Sequence, residues 1–73
     1  MASKLNAYYS RQQLNDYDDI LFLIMEYPEQ VTAIRTQLNA IHRQWFVGSF
    51  AARGNKDNAI RRVKHVLGVV QGL

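Results

Sequence analysis

The stretch beginning at Pro28 constrains this chain most. Val31, Ile34, Leu38, Ile41 and Trp45 recur at steps of three, four, three and four. That is the spacing of an amphipathic helix with an a/d seam. Polar Thr32, Arg35, Gln37, Asn39, His42 and Arg43 fill the positions between them. Glu29 at the start and Arg43 near the end carry the signs that the helix dipole favours. The pattern predicts one helix from Pro28 to about Val47, with proline in the first turn where its missing N–H costs nothing. Pro28 also closes the preceding element, because its ring disfavours helical geometry at Tyr27.

Two further helices fit around this spine. From about residue 11 to 27, Leu14, Tyr17, Leu21, Ile24 and Met25 share a stripe, and Ser10 with Gln13 has capping-box spacing. Asp16, Asp18 and Asp19 suit the positive end of such a helix. The run Ile20–Met25 is also of strand length, and periodicity cannot separate the two; leucine, methionine and glutamate favour the helix. Beyond a Gly54-Asn55 turn, Ile60, Val63, Leu67 and Val70 recur at three, four and three, widened by Ala59 and Val66. They predict a helix over about 57–70, capped by Asp57 or Asn55, with Gly68 inside it at a cost of roughly 1 kcal/mol relative to alanine. Residues 1–9 show no amphipathic period and read as a flexible arm, with Tyr8 and Tyr9 as its large apolar content. The expectation is an all-α fold, a compact bundle of about three helices (about 11–27, 28–47 and 57–70), with a single small domain over 10–73.

Composition narrows the class. At 73 residues, 48% hydrophobic and 21% charged, the chain has a globular balance rather than that of a disordered segment. A domain this short buries only roughly 60% of its unfolded surface. There is no cysteine, so neither a disulfide nor a thiolate metal site is expected. The longest apolar run has six residues where a membrane helix needs about twenty. Met1–Asn6 has no apolar stretch of signal-peptide length, so a cytoplasmic chain without membrane contact is expected.

Catalytic chemistry finds few footholds. A nucleophile needs a base and a group to orient it, yet His42 and His65 each sit beside a basic residue, Arg43 or Lys64, with no acid adjacent. Solvent-facing helix positions account for both. The three aspartates lack the glycine turn and distal glutamate of a calcium loop. Gly48 and Gly54 lack the Lys-Ser/Thr of a phosphate loop. The chain reads as a non-enzyme without metal or cofactor.

Binding is the better lead. Residues 16–29 carry −5 and residues 30–73 carry +6, so the chain is dipolar; the two parts either face an outside partner or attract each other within the fold. Arg61, Lys64 and His65 share a helix face, with Arg62 on its flank and Arg53 and Lys56 before it. Lys56, Arg61, Arg62 and Lys64 thus form a candidate basic patch for nucleic-acid phosphate or an acidic protein. A helix-turn-helix fits poorly, because the spine is too long and the connection after it spans about nine residues rather than three or four. The second lead is aromatic: neighbours on a helix point about 100° apart, so Trp45 and Phe46 cannot be buried equally, and one of them or Phe50 is a candidate surface anchor. The alternative is that all three rings close a small core. Tyr8, Tyr9, Arg43, Trp45, Phe46, Phe50 and Arg53 are the candidate partner-binding set.

In size, lack of cysteine, basic charge and helical economy, the chain resembles small phage-encoded regulators of host machinery, of the type that acts on RNA polymerase. The resemblance is one of general character and carries no residue-level role. It implies a larger host or cellular protein as partner, an RNA polymerase subunit first among them. The leading expectation is therefore a monomeric, non-enzymatic module that regulates a larger protein by occluding an acidic surface. Nucleic-acid binding through the basic loop and third helix is the alternative, and self-association through the Val31–Trp45 seam a third.

Overall fold

The computed structural model describes residues 1–70. It is all-helical: α1 (Ala2–Arg11), α2 (Leu14–Glu26), α3 (Pro28–Ile34), a 3-10 turn (Arg35–Gln37), α4 (Ala40–Ala52) and α5 (Asp57–Leu67). No strand occurs among the described residues. The all-α class is as expected, but among the described residues there are five α-helices rather than about three.

The first correction concerns the arm. Residues 2–11 form α1, which packs against α2 and α4 and buries Leu5 and Tyr8. A ten-residue helix is marginal alone; this one is held by its partners, and its stripe is too short to read as a period. Ser10 lies inside α1, so the expected capping box does not form. The chain reverses through Gln12 in the left-handed conformation (φ 56°), with its N–H bonded to the Tyr8 carbonyl at 2.7 Å. α2 then buries Tyr17, Ile20 and Ile24, while Leu14 is exposed and Leu21 and Met25 are half-buried.

The second correction is the spine. Tyr27 is bent out of helical geometry (φ −130°, ψ 53°) ahead of Pro28, as expected, but the helix after it lasts only to Ile34. After the 3-10 turn, Leu38 is extended, and Asn39 starts a new helix: its side-chain oxygen accepts the N–H of Ile41 (2.8 Å) and of His42 (3.2 Å). Asparagine is among the best residues for that role. The break has a packing reason. It lets Leu38 stay buried while α4 turns Phe46, Val47 and Phe50 into the core, all at 3% exposure or less. In one continuous helix those three would fall off the Val31–Trp45 seam. The continuous stripe that a coiled coil requires is absent, since Val31 and Leu38 face inward and Ile41 and Trp45 outward.

The third correction is at the two ends of the last connection. α4 runs through Gly48 to Ala52, so the loop is shorter than expected. Neither Asp57 nor Asn55 caps α5: Lys56 is its N-cap, without a side-chain bond, and Asn55 instead donates to the Phe50 carbonyl at 2.7 Å. α5 buries Val63, Val66 and Leu67 as its stripe predicted, but it stops at Leu67 and leaves Val70 exposed. Gly68 is the left-handed cap (φ 68°) rather than a flaw in the helix. Its N–H reaches the His65 carbonyl (3.1 Å) and that of Val69 the Lys64 carbonyl (2.9 Å), a Schellman ending.

The core has two characters. Between α1, α2 and α4, Phe46 meets Tyr8 and Tyr17 at centroid distances of 5.9 and 5.2 Å, and the two tyrosines lie 5.6 Å apart. Between α3, α4 and α5 the filling is aliphatic, from Val31, Leu38, Val47, Val63, Val66 and Leu67.

Candidate functional site

Of the adjacent pair Trp45 and Phe46, Phe46 is fully enclosed and Trp45 is 40% exposed. Phe50 is buried, and so is Tyr8, whose hydroxyl is hydrogen-bonded to that of Ser49 on α4. In this fold Tyr8, Phe46 and Phe50 are core residues rather than surface anchors, because a core this small encloses all three rings. Tyr9 stays at the surface. Its ring stacks on His42 at 4.5 Å and meets Trp45 edge-on at 5.7 Å. Ile41, one turn before Trp45, is 62% exposed.

These groups border an open groove of about 710 Å³ between α1 and α4. Its lining includes the apolar side chains of Tyr9, Ile41 and Trp45, the amides of Gln12 and Gln44, and the small residues Gly48 and Ala52. A methyl group at Gly48 would meet no neighbouring atom within 4 Å. Among the described residues no carboxylate lines the groove, and the cation that does is Arg53. Arg53 is exposed but not idle: its guanidinium lies 4.2 Å from the Tyr17 ring centroid, over the ring. Such a contact contributes about 0.5–1 kcal/mol at an exposed site. Burial pushes the Tyr17 hydroxyl above its ordinary value, and Arg53 opposes that shift.

The remaining candidates divide. Arg43 is half-buried and donates from Nη1 to the Leu67 carbonyl at 2.9 Å, so it serves the end of α5 and lies apart from the aromatic cluster. Lys56, Arg61 and Arg62 are exposed and Lys64 is half-buried. Among the described residues the single ion pair is Lys4 with Asp19, at 2.8 Å. The acidic segment therefore contacts α1, and among the described residues no direct ion pair ties it to the basic remainder. Among the described residues no group of three or more potential metal-binding side chains occurs, and no helix is long and apolar enough to cross a membrane.

Sequence reasoning missed Ile41 and Gly48 as groove residues. The period assigned Ile41 to the core and the glycine to a loop. Asn39, a good capping residue midway along a supposed helix, was the available signal that the phase restarts there. Comparison with known proteins matches the chain to no family model, no curated protein and no solved structure.

Proposed function

We infer that the protein is a non-enzymatic binding module that docks an apolar segment of a larger protein in the α1/α4 groove and thereby alters that protein's activity. The observation that carries the reading is the retention of Tyr9, Ile41 and Trp45 at the surface around one concavity. Tryptophan and tyrosine are the residue types that most often dominate binding energy at interfaces. Gly48 adds support: alanine in that helix would be about 1 kcal/mol more favourable, yet the position is left open toward the groove. The presence of Arg53, with no carboxylate lining the groove among the described residues, favours a segment flanked by acidic residues. Transcription machinery is the first partner class to try, on the chain's general character.

The test uses the full chain as bait, beside Trp45→Ala and Gly48→Leu, with purified RNA polymerase and with lysate. A partner kept by the parent chain, lost by both variants and changed in activity by the parent alone supports the reading. Identical recovery by all three baits rejects it. A second reading, contact with nucleic-acid phosphate through Lys56, Arg61, Arg62 and Lys64, draws on the lack of ion pairs to these residues among the described residues. It requires an affinity for duplex that falls steeply with salt and is lost in the Arg61→Ala/Arg62→Ala variant.

A further inference from the structure

On the other side of α4 the end of α5 is held by two arginines from elsewhere in the chain. Arg35 Nη1 donates to the His65 carbonyl at 2.8 Å, and Arg43 Nη1 to that of Leu67. They approach so closely over Gly68 that a Cβ there would lie 2.9 Å from Arg35 Cδ and 3.4 Å from Arg43 Nη1. Arg61 and Lys64 of α5 join them, with Thr36 and His65, around an open cleft of about 520 Å³ that no carboxylate lines among the described residues.

Capping explains part of this arrangement. A helix C-terminus offers roughly half a negative charge, whereas four permanent cations line this cleft. Among the described residues, most of that positive charge has no acidic counterpart. Each anchored arginine uses one of its five N–H donors on a carbonyl, and the bond fixes the guanidinium in place. Ordering these side chains is therefore already done before a ligand arrives, which is what preorganisation requires. The cations also converge from three elements on one hollow rather than running in a line, a layout suited to a compact multivalent anion more than to an extended backbone.

We propose that the cleft between the 3-10 turn, α4 and the end of α5 binds a compact phosphate group, of the diphosphate kind carried by nucleotides and by inorganic pyrophosphate. Arg61 and Lys64 supply direct contacts, and Arg35 and Arg43 supply charge from fixed positions. The site is independent of the α1/α4 groove.

Pyrophosphate and ADP are titrated into the full chain at low salt by calorimetry, with amide shifts followed by NMR. Saturable binding is expected, with shifts at Thr36, Gly68 and Val69 and none at Trp45. Pyrophosphate alone binding points to the free anion, and ADP binding more tightly points to a nucleotide; either supports the site. Arg61→Ala/Lys64→Ala is expected to weaken binding about tenfold or more, as loss of hydrogen bonds to a charged group does. Lys56→Ala/Arg62→Ala, outside the cleft, is expected to change it less than about twofold. No saturable binding overturns the proposal. Equal losses in both double variants also overturn it, in favour of diffuse positive charge. So does duplex DNA that binds more tightly than pyrophosphate and depends on Lys56 and Arg62. Thermal melts of each variant confirm folding, and Arg35 and Arg43 are left intact because they hold α5.

Discussion

The two sides of α4 are built on opposite principles. Toward α1 the helix keeps Ile41 and Trp45 at the surface beside Tyr9, in a groove lined, among the described residues, by one cation and no acid. Toward the end of α5 it contributes Arg43 to a cleft crowded with positive charge. Covering the first side gains about 25 cal/mol per Å² of apolar area removed from water, and salt hardly alters that. Attraction at the second is screened over roughly 8 Å at physiological ionic strength. One helix therefore presents a salt-tolerant surface and a salt-sensitive one. A salt titration of any ligand assigns it to a side.

The largest test of this contrast compares neighbours. Phe46→Ala removes the ring at the junction of three helices and is expected to cost about 3–5 kcal/mol. For a domain of this size each kcal/mol lowers the melting temperature by about 4–8 °C, so the variant loses most of its thermal transition. Trp45→Ala is expected to cost far less stability while abolishing partner capture. Similar melting curves for the two would break the division between core and groove.

Gly68→Ala comes next. It places a side chain in the left-handed region, at roughly 1–2 kcal/mol, and forces Arg35 aside. A lower melting temperature and weaker pyrophosphate binding are expected together; an unchanged melt would show that the arginines do not fasten α5. Gly48→Ala runs the other way on the groove side. It is expected to raise stability by about 1 kcal/mol and to weaken docking by adding a methyl group to the groove lining, and a destabilised variant would contradict the open space there.

The smallest effect is at alkaline pH. Tyr17 ionises above the ordinary tyrosine value of 10.0 because burial disfavours the phenolate. The unfolded chain loses that proton first, so the stabilisation is complete below about pH 10 and is lost as pH rises through the folded value. Tyr17→Phe should flatten the decline in melting temperature above pH 10. An unchanged slope would place the alkaline sensitivity elsewhere, with the Lys4–Asp19 pair the next group to examine.

Much of this architecture was legible residue by residue. The period of Ile60, Val63 and Leu67 marked the inner face of α5, and Pro28 marked a boundary because its ring acts on the residue before it. The angular separation of Trp45 and Phe46 required that one ring be favoured over the other. What stayed hidden depends on contacts between distant segments. Leu5 and Tyr8 make a helix only because α2 and α4 are there to cover them. Gly68 reads as a helix interior until Arg35 and Arg43 are seen above it. The seam from Val31 to Trp45 is real as a pattern, but a spacing rule carries no information about rotation once a cap resets the backbone.

That reset at Asn39 decouples α4 from what precedes it. In an unbroken rod, adding or removing one residue turns everything downstream by about 100°, which here would exchange the enclosed ring for the outward one. With the cap in between, the azimuth of α4 follows from its own start and its own apolar side. A residue inserted between Leu38 and Asn39 is therefore expected to lengthen the turn without exchanging Phe46 for Trp45, whereas losing Leu38 removes a core side chain.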